Sequence, residues 1–246
     1  MKFVSVNIEA NLHFETIFPF LEREQVDVVC MQEVLEEDFD FIKEKLDMEG
    51  VFRSHGYFQS EHKRHINLSG KKYGVAIFSK KILNSGYHFY LGEEENMLES
   101  FHNIREDYEK IENCALLWVD VQNSFGQINR YITTHFPVTK EGESTPHQLS
   151  ILSPFFKELD SLKEFVLCGD FNAPRGNETF KRITERYKDN IPEHYKTSID
   201  QNLHKHKGIM FMVDGLFTTP SYTVSNVRLV DGVSDHMAVV ADVEMN

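Results

Sequence analysis

The sequence is poor in cysteine, tryptophan and proline, and it is short of positive charge. Its 246 residues hold three cysteines, one tryptophan and seven prolines, and 39 acidic side chains stand against 26 lysines and arginines. An odd cysteine count without metal-ligand spacing excludes a disulfide framework and a zinc cluster. Cys30, Cys114 and Cys168 each sit inside an apolar strand-like run, where a free thiol behaves as a small hydrophobe. No apolar run approaches the ~20 residues that span a bilayer. The N-terminal residues carry neither a long apolar stretch nor a small-residue cleavage site. The expectation is a cytoplasmic protein with no membrane contact. The net charge of −13 argues against a strong non-specific grip on duplex DNA, which runs on basic faces and counterion release. A local basic patch would still serve a short nucleic acid or a small phosphorylated molecule.

What is present is ordinary globular material. Hydrophobic residues make up 41% and charged residues 26%, with 20 phenylalanines to fill a core. There is no internal repeat, low-complexity tract or linker-like stretch, so residues 1–246 read as a single domain. Strands are expected over Lys2–Ile8, Val26–Met31, Val75–Phe78, Ala115–Val121, Ile128–Thr134, Phe165–Cys168, Ile209–Phe217, Thr223–Leu229 and Met237–Val243. Helices are expected over Phe14–Glu24, Glu36–Leu46 and Glu178–Tyr187. Another should begin at Thr145, with Pro146 at its first position and Gln148 completing a capping box, and run to about Leu162. Consecutive strands without strict βαβ alternation favour an α+β fold of two mostly antiparallel sheets packed face to face, with helices outside.

The chemistry gathers at the ends of the apolar runs. Asn7 closes the first strand, and Glu33 follows Val28-Val29-Cys30-Met31. Asp170 and Asn172 follow Phe165-Val166-Leu167-Cys168. Asp214 interrupts an apolar run, and Asp235 with His236 precedes the last strand. A turn or cap accounts for any single one of them. It does not account for the whole set at strand ends, nor for a carboxylate at Asp214 flanked by apolar neighbours. Glu33 and Asp235 are hard oxygen donors suited to Mg²⁺. Asp170 beside Asn172 can position a water and a phosphoryl oxygen. His236 with Asp214 gives an imidazole held cationic by a carboxylate.

Asn7, Gln32-Glu33-Val34, Gly169-Asp170-Phe171-Asn172, Val213-Asp214 and Ser234-Asp235-His236 stand in the order found in the endonuclease/exonuclease/phosphatase superfamily of DNase-I-like phosphoesterases. Tyr73-Gly74-Val75-Ala76-Ile77-Phe78-Ser79 and Thr134-His135-Phe136 resemble its middle motifs, so the resemblance spans nearly the whole chain. It implies a four-layered α/β/β/α sandwich with the site at one end of the two sheets. It also implies Glu33 as main metal ligand, aided by Asn7 and Asp235, with Mg²⁺ as the cofactor and Mn²⁺ as the alternative. Asp170 would orient or deprotonate the attacking water, with Asn172 on the phosphate. His236 would contact the scissile phosphate, supported by Asp214, and His135 would contact phosphate and assist the leaving group. Two departures stand out: Gly215 replaces the aromatic residue that often follows the Asp214 position, and Glu9 stands where repair enzymes often carry aspartate.

The resemblance thus implies a Mg²⁺-dependent hydrolase of a phosphodiester or phosphomonoester. The alternative is a nuclease of the repair-endonuclease, tyrosyl-DNA phosphodiesterase or deadenylase kind. A catalytically inactive binding module comes last, because every core position is filled. No protein partner is implied. The inositol-phosphatase branch is disfavoured, since its tryptophan before the GDxN motif and its Trp-Cys-Asp-Arg motif are missing. Two basic stretches stand near expected site strands: His62-Lys63-Arg64-His65 with Lys71-Lys72, and His204-Lys205-His206-Lys207. Most such runs are solvated faces, and the acids from Glu93 through Glu112 read the same way.

Overall fold

The structure is a computed structural model that describes residues 1–58, 68–93 and 113–246. The basic run at 62–65 and the acidic stretch at 94–112 lie outside the described residues. In chain order the elements are β1 (Lys2–Asn7), α1 (Phe14–Glu24), β2 (Val28–Leu35), α2 (Phe39–Leu46), β3 (Glu49–Tyr57), β4 (Lys72–Ser79), β5 (Ile82–Leu91), β6 (Cys114–Gln122) and β7 (Ile128–His135). There follow α3 (Pro146–Ser150), α4 (Leu152–Leu162), β8 (Val166–Asp170), α5 (Glu178–Thr184), β9 (Lys188–Asp189), β10 (Asp214–Thr218), β11 (Tyr222–Val230) and β12 (Ala238–Met245).

The strands form two six-stranded sheets, ordered β11-β12-β1-β2-β4-β3 and β5-β6-β7-β8-β10-β9. Among the described strands β1–β2 and β7–β8 pair in parallel, and the other ladders are antiparallel. Strand alternation then divides the apolar residues into three layers. Phe3, Val28, Cys30, Tyr131, Val166, Cys168, Leu216 and Val239 pack between the sheets. Val4, Val6, Val29 and Met31 point the other way, against Ile17, Phe20 and Leu21 of α1 and Ile42 of α2. Ile132, Leu167 and Phe217 do the same against Phe155 and Leu159 of α4 and Phe180 and Ile183 of α5. This is the expected α/β/β/α sandwich. Cys30, Cys114 and Cys168 are buried, and no disulfide forms among the described residues.

Several expected elements end elsewhere. Ile209–Val213 is loop, with Met210 55% exposed, and the strand begins at Asp214; an apolar run reads as strand whether or not a neighbouring strand is there to pair it. The long helix after Thr145 is split at Ile151 into α3 and α4. Thr145 caps the Gln148 amide at 3.1 Å, but the Gln148 side chain turns away to Pro137 O and Thr179 Oγ1. Half of the capping box is therefore made. Strands β3, β5 and β9 have no counterpart in the sequence reading. The polar Arg53, Ser54 and His55 hide β3, and β5 is an edge strand exposing Asn84 and Ser85.

Candidate active site

The inward-facing row of each central strand ends in a polar residue. Along β1 the row runs Phe3, Ser5, Asn7, and along β7 it runs Tyr131, Thr133, His135. On β8 it is Val166, Cys168, Asp170, and β10 opens with Asp214 before Leu216. The ladders place His135 beside Asp170 and Asp214 opposite Asp170. Glu33 breaks the alternation. It takes a left-handed φ of 58° where the β2–β4 register shifts between Met31 and Val34. That bulge keeps Met31 and Val34 both in the outer layer and frees Glu33 from it. Behind the site, Gln32 ties the sheets together through Ser5 Oγ (3.3 Å) and Thr133 Oγ1 (2.8 Å).

Asp170 is the hub. Its Oδ1 accepts the Asn172 amide at 2.8 Å, and its Oδ2 accepts Asn7 Nδ2 at 3.2 Å. The same Asn7 nitrogen donates to Glu33 Oε1 at 3.2 Å, while Asn7 Oδ1 accepts the Glu9 amide at 3.1 Å. His135 Nε2 and His236 Nε2 lie 3.6 Å and 3.8 Å from Asp170 Oδ2. His236 Nδ1 meets Asp214 Oδ2 at 2.8 Å, and Asp214 is itself held by Ser198 Oγ through its backbone amide. Sequence reasoning named Asn7, Glu33, Asp170, Asn172, Asp214, His236 and His135, and the fold brings these seven together. Asp235 lies beside them, next in sequence to His236 but grouped with Glu9 and His13.

Electrostatics follow from burial and pairing. Burial pushes the Asp170 carboxyl up, and the facing Asp214 adds to this; His236 and His135 pull the other way, and the net direction is up. Burial alone would lower His236, but Asp214 and then Asp170 more than offset it and hold the imidazole well above its ordinary range. His236 is therefore an imidazolium at neutral pH, with Nδ1–H committed to Asp214 and Nε2–H turned toward Asp170. The Asn172 side-chain Nδ2 donates to Phe136 O at 2.8 Å and lies 3.0 Å from His135 Nε2.

Two residues escaped the sequence reading. His13, just before α1, lies 3.0 Å from Glu9 Oε2; its only sequence signal is the four-residue spacing from Glu9. His55 on β3 packs edge-on against His135, with ring centroids 5.6 Å apart, and against Tyr73 at 5.0 Å. It is 1% exposed with neither ring nitrogen hydrogen-bonded, and nothing in its local sequence marks it. Gly169 and Gly215 are required by close approach. A Cβ on Gly169, at φ 146°, would fall 2.1 Å from Thr134 O, and one on Gly215 would meet the Phe217 and Phe171 rings at 2.4 Å and 2.8 Å. Those rings fill the space beside Gly215.

The donors around Asn7 are hard carboxylate oxygens with imidazole nitrogens at their edge, a set that fits a divalent cation. One donor atom each from Glu9, His13 and Asp235 lie within 4.8 Å of one another, as do those of Asp170, Asp214 and His236. Each group already holds one short internal contact, His13–Glu9 at 3.0 Å in the first and His236–Asp214 at 2.8 Å in the second.

A two-sheet sandwich ending in such a cluster is the architecture of the DNase-I-like phosphate-ester hydrolases. The profile of the Endonuclease/Exonuclease/phosphatase family matches residues 4–236, and the chain belongs to that family. Its members are generally dependent on a divalent metal. No curated protein is similar enough in sequence to count as a match. Among solved structures, an endonuclease/exonuclease/phosphatase from Bacteroides vulgatus superposes with a TM-score of 0.71 at 17% identity, covering 100% of this chain and 98% of that one. A mannosyl-6-phosphatase from Bacteroides thetaiotaomicron gives 0.71 at 12% identity, covering 100% of both chains. The catalytic domain of human Nocturnin with bound sulfate gives 0.70 at 16% identity, covering 100% and 94%. At these identities the likeness is one of fold.

Proposed function

We propose that this chain uses a divalent cation, Mg²⁺ or Mn²⁺, and an activated water to hydrolyse a phosphate ester of a small or short substrate by in-line attack. The observation that carries this is the pairing of Asp170 with the His236–Asp214 couple, at the end of the sheets where Glu33 and Asn7 also finish. Glu33, with Asn7 and Asp235, would hold the cation, which when bound supplies charge neutralisation at the phosphoryl oxygens. Asp170 lies within reach of both histidines, and its raised carboxyl suits it to orient a water and accept its proton. The His236 imidazolium presents Nε2–H to the charge that grows on the phosphoryl group, and Asp214 keeps that proton in place. Asn172 and His135 flank Asp170, at Oδ1 and Oδ2 respectively, and would fix the phosphate beside it.

The net charge of −13 favours a small phosphoester over a long polyanion. The basic loop that stands beside the site is short. Asp200 ties it down: Oδ1 accepts the Asn202 and Leu203 amides, Oδ2 accepts that of Gly232, and its own amide donates to Asp235 O. Burial above all holds His204 on this loop below the ordinary histidine range, with repulsion by His236 adding to it. Lys71 and Lys72 instead pair with Glu37 and Glu36. No helix among the described residues is long and apolar enough to cross a membrane.

The test is hydrolysis with Mg²⁺ or Mn²⁺, beside Asp170→Ala, across sugar phosphates, 2′,3′-cyclic phosphates, single-stranded DNA, poly(A) RNA, abasic duplex and 5′-tyrosyl DNA. Cleavage of a small ester, lost in the variant and with EDTA, supports the reading. Cleavage of the polymers alone moves it to a nuclease. Silence across the panel with no metal binding refutes it.

A further inference from the structure

The group formed by Glu9, His13 and Asp235 carries a consequence that oxygen ligands alone would not. It is assembled from the turn after β1 and the loop before β12, and its members are 2%, 5% and 7% exposed. His13 Nε2 and Glu9 Oε2 stand 3.0 Å apart, and a donor atom of Asp235 lies within 4.8 Å of both. A separation of 3.0 Å is the edge of an octahedron whose bonds are about 2.1 Å, so one ion can touch both atoms with little rearrangement. Asn7 joins this group to the hydrolytic cluster: its Oδ1 holds the Glu9 amide while its Nδ2 holds Glu33 and Asp170.

We propose that His13 is a direct ligand of the divalent cation, completing a nitrogen-bearing set with Glu9 and Asp235 that selects Mn²⁺ over Mg²⁺. The proposal deepens, and rests on, the reading of this site as a cation-dependent phosphoesterase centre. The reason for the preference is chemical. Mg²⁺ keeps oxygen ligands and several waters, whereas an imidazole favours first-row transition ions that accept nitrogen beside carboxylate. The rival role is indirect, with His13 donating to Glu9 and only orienting that carboxylate. The two roles differ in whether the ring nitrogen is bonded to the ion.

Electron spin-echo modulation on the full chain loaded with Mn²⁺ distinguishes them, because a coordinated imidazole imprints a ¹⁴N coupling on the ion. The wild type should show that coupling, and His13→Gln and His13→Ala should both lose it. Glutamine retains a donor to Glu9 and an oxygen for the metal, and unfolding temperatures without metal check that each variant is folded. By calorimetry the Mn²⁺ dissociation constant should rise roughly tenfold or more in both variants, and that for Mg²⁺ by less than about threefold. No ¹⁴N coupling in the wild type, or coupling that survives in both folded variants, overturns direct ligation. Equal losses of Mn²⁺ and Mg²⁺ affinity overturn the selectivity. A wild type that hydrolyses no phosphoester yet shows His13-dependent coupling refutes the enzymatic reading and keeps the ligand. An active enzyme without the coupling does the reverse.

Discussion

His55 makes the stability of this protein fall in acid by an amount that can be worked out. Burial drives its imidazole from an ordinary value of 6.5 down to about 3; repulsion from His135 adds to this, while the backbone at Asn113 and at His55 itself, and Glu33, only partly offset it. Those groups supply only part of what a charged ring would need in place of water. The folded state therefore refuses a proton that the unfolded state accepts. A group whose folded value is depressed contributes stability that is present above its unfolded value and is lost as the pH falls toward the folded one. The window here runs from about 6.5 down to about 3. Between about pH 7 and about pH 4.5 this one residue should remove about 2.5 kcal/mol.

His55→Leu isolates that amount. Leucine has a similar bulk and removes two unpaired nitrogens, so stability near neutrality should change little or rise. Urea unfolding followed by the single tryptophan, Trp118, which lies under Arg130 at 4.7 Å, gives the free energy of each protein at both pH values. Titration of the remaining histidines and carboxylates is common to both and cancels in the difference. The wild type should lose about 2.5 kcal/mol more than the variant on acidification. Equal losses would mean that the folded site takes up the proton, and the account of His55 as a neutral buried ring would be wrong.

Other expectations concern the chemistry. His236→Ala should lower turnover by roughly 10³ in protein that circular dichroism shows to be folded, because His236 stabilises charge that grows in the transition state; near-normal turnover rules out its role. Asp214→Asn removes the charge that holds His236 up, so the alkaline limb of the rate profile should move toward neutral pH. An unmoved limb would separate that limb from His236. Glu33→Gln should raise the metal concentration needed for half-maximal rate, read from a Mg²⁺ titration, and an unchanged titration removes it as a ligand. Gly169→Ala should cost more than about 3 kcal/mol, since a Cβ there meets Thr134 O at 2.1 Å with φ at 146°. A soluble variant with unchanged unfolding temperature would contradict that contact.

The residues legible in the sequence share one property: each stands at one end of a run whose burial is written in its own apolar pattern. Asn7, Asp170 and Asp214 are inward-facing positions of core strands, so an apolar row broken by a polar residue marks both the strand end and the site. The strand at Asp214 was placed too early for the same reason. Ile209 to Val213 has the composition of a strand, and composition does not show that the run lacks a pairing partner. His55 stayed hidden because β3 carries Arg53, Ser54 and His55 in a row and its burial comes wholly from the strands and rings packed on it. His13 stayed hidden because a histidine at a helix start is common, and its meaning depends on Asp235 at the far end of the chain.

Glu33 shows why neither kind of signal suffices alone. Strict alternation from Cys30 and Gln32 would send residue 33 outward, into the layer covered by α1 and α2, where a carboxylate would be buried among Ile17, Leu21 and Ile42. The left-handed turn at Glu33 and the slipped register with β4 add one residue to the strand, so Val34 takes that outer place instead. A non-glycine residue at a φ of 58° costs on the order of 1 kcal/mol or more. That strain is small against the cost of leaving a charged group in an apolar layer, and it leaves the carboxylate on Asn7 Nδ2, the nitrogen that also donates to Asp170. A substitution that straightened this bulge would therefore cost function and packing together. The sequence pattern locates Glu33 at the end of its strand, and the backbone decides which way it faces.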